Sequence, residues 1–297
     1  ETINNALAHR DYAIDKQAII SIKPGLHLAI RNPGGFRRHH LIEYPDDAVP
    51  LRRIIPIAKP RNPKLADVLR VYRKWEGKGI GMATLVNLCL ENKLDLPTYR
   101  LYGEEVCLYL YAGKLLDDAM QFHLASYDAY IAEKLGDDPT PEQALILSYL
   151  IKSEMANLRE HYTILLTHDN NHTIQIQKLM AAGLVFKHEK STPACSIYLV
   201  DRVLMKDDFQ GELGELFGES LATIDMLARR CLAEIYRRGR YHRLKPVTAK
   251  VAAFALWYAE KGNRQDIKEF DAFYRKVRYA FNKLLKGMFI SKPKASD

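Results

Sequence analysis

The chain has 297 residues, of which 47% are hydrophobic and 27% charged. That is the composition of a globular protein, and no apolar run approaches the ~20 residues that cross a bilayer, so no membrane segment is expected. The net charge of +8 is uneven: residues 226–297 hold 18 Lys and Arg against 6 Asp and Glu, a balance of +12 that leaves −4 for everything before them.

Such an asymmetry suggests a C-terminal surface that meets a polyanion, nucleic acid first. A solvated helical face is the plainer reading. The length exceeds the ~100–200 residues of one domain, so two or three domains are expected. Residues 1–12 lack the charged-then-apolar layout of a secretory signal. They read as the middle of a helix that starts without an initiator Met, which suggests a fragment with an upstream part. Cys89, Cys107, Cys195 and Cys231 are far apart and form no C-x-x-C pair. Neither a zinc site nor a disulfide framework is expected, and the cytoplasm is the simplest location.

In chain order, a helix ends near His9, and alternating runs at 17–22 and 27–31 joined by Pro24-Gly25 read as a hairpin. Asn62-Pro63 opens an amphipathic helix with Asn62 as N-cap and with Leu65, Val68, Leu69 and Tyr72 as its stripe. A second helix is expected over 80–92 and strands over 99–102 and 106–111. Residues 117–135 look helical, and the turn-rich stretch 136–141 reads as a linker. Three short helices, 142–152, 156–166 and 173–182, then lead into apolar strands at 183–186 and 195–200. That is a winged-helix pattern. Residues 283–290 echo 178–185 as a helix turned by Gly into an apolar strand, which suggests a second such unit with 248–261 as its first helix. A C-terminal helical bundle is the alternative.

Several residues carry candidate chemistry. Glu1 and Asn5 lie four apart and share a helix face; a carboxylate and an amide there suit orienting a water and holding Mg²⁺. Asn32-Pro33-Gly34-Gly35 follows a strand, and Gly77-Lys78-Gly79-Ile80-Gly81 precedes a helix. Closely spaced glycines let backbone N–H groups approach phosphate, and a helix N-terminus favours an anion. No Walker-type phosphate loop and no strand-G-x-G-x-x-G-helix unit is present. His168 and His172 are four apart but separated by turn-forming residues, a poor metal pair.

Together these motifs resemble a family. Glu1 through Asn5-Ala6-Leu7-Ala8-His9-Arg10-Asp11-Tyr12 looks like the E-x-x-x-N-A-[LI]-x-H-R-D-Y signature of the RecG-related, Schlafen/AlbA-type transcriptional regulators. Asn32-Pro33-Gly34-Gly35, Arg61-Asn62-Pro63 and Glu76-Gly77-Lys78-Gly79-Ile80-Gly81-Met82 follow in that family's order. The resemblance implies an α+β protein: a divergent, N-terminally truncated GHKL-like α/β sandwich over 1–112, a helical linker over 113–138, a winged-helix domain over 139–205 and a basic helical region over 206–297.

It also implies ATP and Mg as cofactors. Glu1 takes the place of the water-activating carboxylate and Asn5 that of the Mg²⁺-binding amide. Asn32 falls near the adenine-reading aspartate, Gly34 and Gly35 lie in the first glycine box, and Gly77, Lys78, Gly79 and Gly81 belong to the phosphate lid. An amide in place of a carboxylate at Asn32 makes the acceptor for adenine's amine ambiguous. Lys78 stands where the family more often has a small hydroxyl residue. A weak ATPase is compatible with this set; a helicase motor is not.

For DNA, the basic run at 237–245 offers Arg237, Arg238, Arg240, Arg243 and Lys245 as phosphate contacts. On the expected recognition helix Gln175, Gln177 and Lys178 suit base edges. The leading reading is a nucleotide-responsive DNA-binding transcriptional regulator. The alternative is a scaffold or protein-interaction module whose nucleotide fold is degenerate, since winged helices also bind proteins. Either reading leaves room for a homo-oligomer.

Overall fold

The computed structural model describes residues 2–56, 59–74, 81–166, 172–193, 195–243, 247–262 and 266–292. Helix α1 (Thr2–His9) precedes strands β1 (Ile19–Lys23), β2 (His27–Pro33), β3 (Leu41–Tyr44) and β4 (Leu51–Ile54). Helices α2 (Pro63–Val71) and α3 (Gly81–Glu91) lead to β5 (Thr98–Tyr102) and β6 (Glu105–Tyr111). Next come α4 (Asp118–Ala125), α5 (Asp128–Leu135), α6 (Pro141–Leu158), β7 (Tyr162–Ile164), α7 (Thr173–Ala181), β8 (Val185–Lys187) and β9 (Tyr198–Val200). The remainder is helical: α8 (Arg202–Met205), α9 (Gln210–Phe217), α10 (Met226–Tyr241), α11 (Ala249–Lys261) and α12 (Ile267–Lys286). The protein is α+β.

The chain divides into two interleaved units, one of Glu1–Leu116 with Thr140–Val200, the other of Asp117–Pro139 with Asp201–Asp297. In the first, seven strands form a sheet in the order β1-β2-β6-β5-β7-β4-β3. All neighbours are antiparallel except β4 and β7. Strand β7 reaches the sheet from the region expected to be a separate winged-helix domain. There it pairs Thr98 with Thr163 on one side and Ile54 with Ile164 on the other. The boundaries drawn from sequence at 112, 138 and 205 fall close to the unit limits at 116, 139 and 200, but the segments group differently: the expected winged-helix region joins the first unit and the expected helical linker joins the second.

Local structure explains the difference. The capping box of Thr140 and Gln143, with Pro141 in the first turn, starts α6 firmly. The helix runs through the expected break between 152 and 156, with Ser153, Glu154 and Asn157 buried along it. The second expected helix, 156–166, instead leaves α6 after Leu158 and becomes β7. Tyr162, Thr163 and Ile164 are all buried there, and their ladder partners outweigh a helical apolar spacing. Glu154 Oε1 accepts the Val200 N–H at 2.9 Å, tying the small β8/β9 hairpin to α6.

The second unit contains only helices among its described residues. Its core joins Phe209, Leu213, Cys231, Leu232, Leu256 and Leu284. Residues 287–290 form a turn in which Phe289 packs on Phe217 at 5.2 Å, not the strand that would close a second winged-helix unit. The 113–138 segment, expected as a linker, supplies α4 and α5 to this unit. Tyr127 donates to the Lys206 carbonyl at 2.7 Å, and the His242 and Arg243 segment meets Asp128 at 2.9 Å.

Buried charge holds α10 to α4. Glu234 and Arg238 are each 4% exposed. Arg238 Nε donates to Glu234 at 2.6 Å, a second nitrogen reaches Ser126 Oγ at 2.8 Å, and the guanidinium lies 4.4 Å from the Phe122 ring. Arg237 donates to the other Glu234 oxygen. Removing the shared carboxylate strands two cations, which costs far more than an exposed pair contributes. Glu234→Ala is expected to lower stability by about 3–5 kcal/mol in urea unfolding; a loss under about 1 kcal/mol would show that the network is solvated.

Candidate functional site

Three of the four motif segments singled out in the sequence meet at the C-terminal end of α1. The helix ends at His9 and leaves its last carbonyls without helical partners. Asn62 takes them up: its backbone N–H donates to Ala8 O at 3.0 Å, and its side chain donates to Ala8 O at 3.2 Å and Arg10 O at 2.7 Å. The expected N-cap of α2 thus sits at the right position, but its amide caps the end of α1 and makes no side-chain bond to α2. Beyond this cap Asp11 N–H donates to Pro33 O at 2.8 Å, which fastens the Arg10-Asp11 turn to the end of β2.

Arg61 joins all three segments. One guanidinium nitrogen donates to Asp11 Oδ2 at 2.5 Å and another to Gly35 O at 2.8 Å. Gly34 lies between them with φ +101°, and a Cβ there would stand 2.9 Å from the Asp11 Cβ and 3.2 Å from its nitrogen. Both its backbone angle and its surroundings require glycine. Asn32, at the start of this loop, is 8% exposed. Its Nδ2 donates to Ala6 O at 2.9 Å, and its Oδ1 is enclosed with no partner among the described residues. A buried acceptor left unsatisfied is uncommon and costs free energy.

The surroundings are cationic. Burial, then the charges of Arg61 and Arg37, holds the His9 pKa below its ordinary value. His40 is lowered to about 4, first by burial and then by His39, His9, Arg37 and Lys59. Its ring meets His39 edge-on at 4.3 Å and faces Phe36, which in turn packs on Tyr99. Burial disfavours charge of either sign there, and the nearby Arg37 and Arg61 add a positive field to it.

The other expected site residues are placed as follows. Asn5 is half-buried on α1, next in sequence to the Ala6 whose carbonyl Asn32 holds. Gly35 is exposed, and Gly81 opens α3. Glu1, Gly77, Lys78 and Gly79 lie outside the described residues, as do Lys245 and His168. His172 Nδ1 lies 3.0 Å from Glu142 Oε1. Among the described residues no group of three His, Cys, Asp or Glu side chains is arranged to hold a metal, and all four cysteines are free thiols.

Of the expected DNA contacts, Gln177 and Lys178 are exposed on α7, while Gln175 is half-buried with Oε1 enclosed and without a partner among the described residues. Arg237 and Arg238 point inward to Glu234, so a run that looks uniformly basic in sequence is divided by the helix. Arg240 is exposed, and Arg243 is exposed but paired with Asp138. Sequence reasoning missed α12. Val277, Ala280, Phe281 and Leu284 turn into the core, which leaves Arg275, Lys276, Arg278, Tyr279 and Lys286 exposed. Tyr279 is 64% exposed and, with Arg275 and Lys276, lines an open groove of about 410 Å³. The three-to-four spacing of those apolar residues was the signal for this face.

No protein-family model matches the chain, and no curated protein matches it. The solved DIP2311 protein from Corynebacterium diphtheriae aligns over 98% of this chain at 16% identity with a TM-score of 0.33. The chain spans 47% of that protein's length, and a likeness at this level carries no argument about fold or function. No described helix is long and apolar enough to cross a membrane.

Two outcomes follow from this geometry. Gly34→Ala is expected to destabilise the chain by about 1–3 kcal/mol from backbone strain alone, whereas Gly35→Ala, whose Cβ would meet open space, leaves the melting temperature unchanged. His40 is one of four histidines, with His9, His123 and His161, whose pKa is held down. The folded pKa of His40 lies below the ordinary value of 6.5, so its contribution is full above that value and is lost as pH falls toward 4. Denaturant unfolding between about pH 7 and 5 is expected to show stability falling by up to about 1.4 kcal/mol per pH unit, with a shallower fall in His40→Gln. An unchanged slope in that variant would assign the loss to other groups.

Proposed function

We propose that the chain is the nucleotide-responsive, DNA-binding part of a cytoplasmic transcriptional regulator of the RecG-related, Schlafen/AlbA type. The observation that supports this is the convergence of the 5–11, 32–35 and 61–62 motifs on one cationic knot that encloses the unpartnered Asn32 Oδ1. An amide oxygen whose own nitrogen is fixed by Ala6 suits an exocyclic amine, such as that of adenine. Gly34 and Gly35 keep the backbone bare beside it, and Gly77, Lys78, Gly79 and Gly81 belong to the phosphate side of this reading. The Asn5 amide fits as one oxygen ligand of Mg²⁺, and Glu1 as the carboxylate that orients a water. Asn32 Oδ1 is sealed from solvent, so a base reaches it only when the surrounding loop opens.

The DNA part of the reading rests on charge. Of the +12 balance of residues 226–297, Arg275, Lys276, Arg278 and Lys286 on the outer face of α12 and Arg240 on α10 are exposed. On α7, followed by the β8/β9 hairpin, Gln177 and Lys178 offer side chains for base edges. A second reading has a specific observation in its favour: Arg61 is taken up by Asp11 and the Gly35 carbonyl, and Asn62 by the Ala8 and Arg10 carbonyls, as in a knot kept for structure. In that reading the chain is a scaffold with a degenerate nucleotide fold.

Thermal unfolding with Mg-ATP and duplex binding across a salt series separate the two. The regulator reading expects a stabilisation of about 2.7 kcal/mol at a hundredfold excess over the dissociation constant, lost in Asn32→Leu. It also expects duplex affinity that falls steeply and linearly on a log–log salt plot. No nucleotide shift together with salt-independent or absent DNA binding would sink it and favour the scaffold.

A further inference from the structure

We infer that the β1-β2-β6-β5 end of one face of the seven-stranded sheet, where Arg31 is exposed and Arg100, Tyr102, Tyr109 and Tyr111 are half-buried, is a platform for single-stranded DNA. The inference rests on the DNA-binding reading only in the choice of DNA over RNA; the surface itself is independent of α7, α12 and the nucleotide knot. The sheet has two unlike faces. Ile30, Val106, Leu108 and Tyr99 are buried on one. The alternate residues occupy the other, where the register places Arg31, Cys107 and Arg100 in one row across β2, β6 and β5. The next row is Ala29, Tyr109 and Thr98, and the one after it pairs His27 with Tyr111.

This second face combines flat rings with cations. The guanidinium groups of Arg31 and Arg100 lie 5.6 Å and 4.9 Å from the centre of the Tyr102 ring. The Tyr102 and Tyr109 hydroxyls meet at 3.0 Å. Tyr109 lies parallel to Tyr111, at an interplanar angle of 15°, and to His161, at 3°, each at 6.2 Å. Small buried side chains, Ala29 and Cys107, sit between these long ones in the same rows. The rings are therefore held in place by one another and by the strands beneath, so binding need not immobilise them.

The charge on this face selects the occupant. Arg31, Arg100 and Lys23 form no ion pair with any described residue, and the carboxylate of Glu105 is taken by Lys16 at 3.6 Å. Arg100 and Arg159, after burial, hold the His161 pKa down, a sign of the local positive field. Unpaired cations beside fixed aromatic rings match a ligand that alternates phosphates with exposed base faces. A duplex keeps its base faces inside the stack and offers this surface only phosphates. A single strand offers both.

The test uses the full chain and fluorescence anisotropy with a labelled oligonucleotide as single-stranded DNA, as RNA of the same sequence and as duplex DNA. Arg31→Gln/Arg100→Gln keeps side-chain bulk and is expected to weaken single-strand binding ~tenfold. It should also lower the log–log salt slope by about 1.4, or about 0.7 for each phosphate no longer neutralised. Tyr109→Leu is expected to weaken binding as well, while Tyr109→Phe, which keeps the ring, leaves it intact. Duplex binding and the Mg-ATP response stay as in the parent. Single-strand affinity unchanged in the double variant, an equal loss on duplex, no single-strand binding by the parent, or tighter binding to RNA would each overturn the inference. Absent duplex binding and no Mg-ATP shift, with variant-sensitive single-strand binding, would instead remove the regulator reading and leave this platform standing.

Discussion

The contact on which the first unit's functional end depends is the guanidinium of Arg61. It bonds to a carboxylate in the turn after α1 and to a carbonyl in the loop after β2, two segments that share no secondary structure. Planar geometry matters here, because two donors leave one side chain in fixed, divergent directions. Lysine offers one charge but not the fork. With Asn62 capping α1 next to it, the Arg-Asn pair converts the start of α2 into a clamp on everything before it. Gly34 follows from this closeness, since the chain must pass where no side chain fits.

Two arginines, Arg238 and Arg31, are handled in opposite ways. In α10, Arg238 is taken out of water, and its charge is met by Glu234, Ser126 and the face of Phe122. On the sheet, Arg31 stays in solvent and, among the described residues, meets the face of a tyrosine without an ion-pair partner. The first arrangement fixes helices against each other and withdraws the charge from any partner. The second leaves charge and hydrogen-bonding capacity unused. Counting basic residues along the chain points the wrong way here: the buried Arg238 lies in the basic run 237–243, while the exposed Arg31 stands alone in an apolar strand.

Hairpins were the legible part of the fold. Pairs β1/β2 and β5/β6 join neighbours in sequence across short turns, with Gly25 at φ +72° and Gly103 at φ +58°, so local signals suffice. Strands β3, β4 and β7 are only three or four residues long, too short to show a period, and β7 is fixed by partners far away in the chain. The candidate site was legible as a set of motifs in order, including Asn32, Gly34 and the Arg61-Asn62 pair. The structural role of Asn62 was not, because an asparagine before Pro63 signals an N-cap whether its amide turns forward to α2 or back to α1. Arg237 and Arg238 were misleading for a similar reason: burial on an amphipathic helix depends on what α4 brings opposite.

The position of β7 has a consequence for how the chain comes to be folded. It lies between β5 and β4, yet it is made only after residues 117–139 of the other unit have emerged, and that unit in turn waits for everything beyond residue 201. Neither unit is a continuous stretch that closes as it leaves the ribosome. Until residue 164 is available, β4 and β5 each hold an unpaired edge open, and the strands on either side of the gap have no bridge. Synthesis therefore passes through a stage in which half a sheet and two helices of an unfinished bundle coexist, a period when the nascent chain depends on protection from association with other chains.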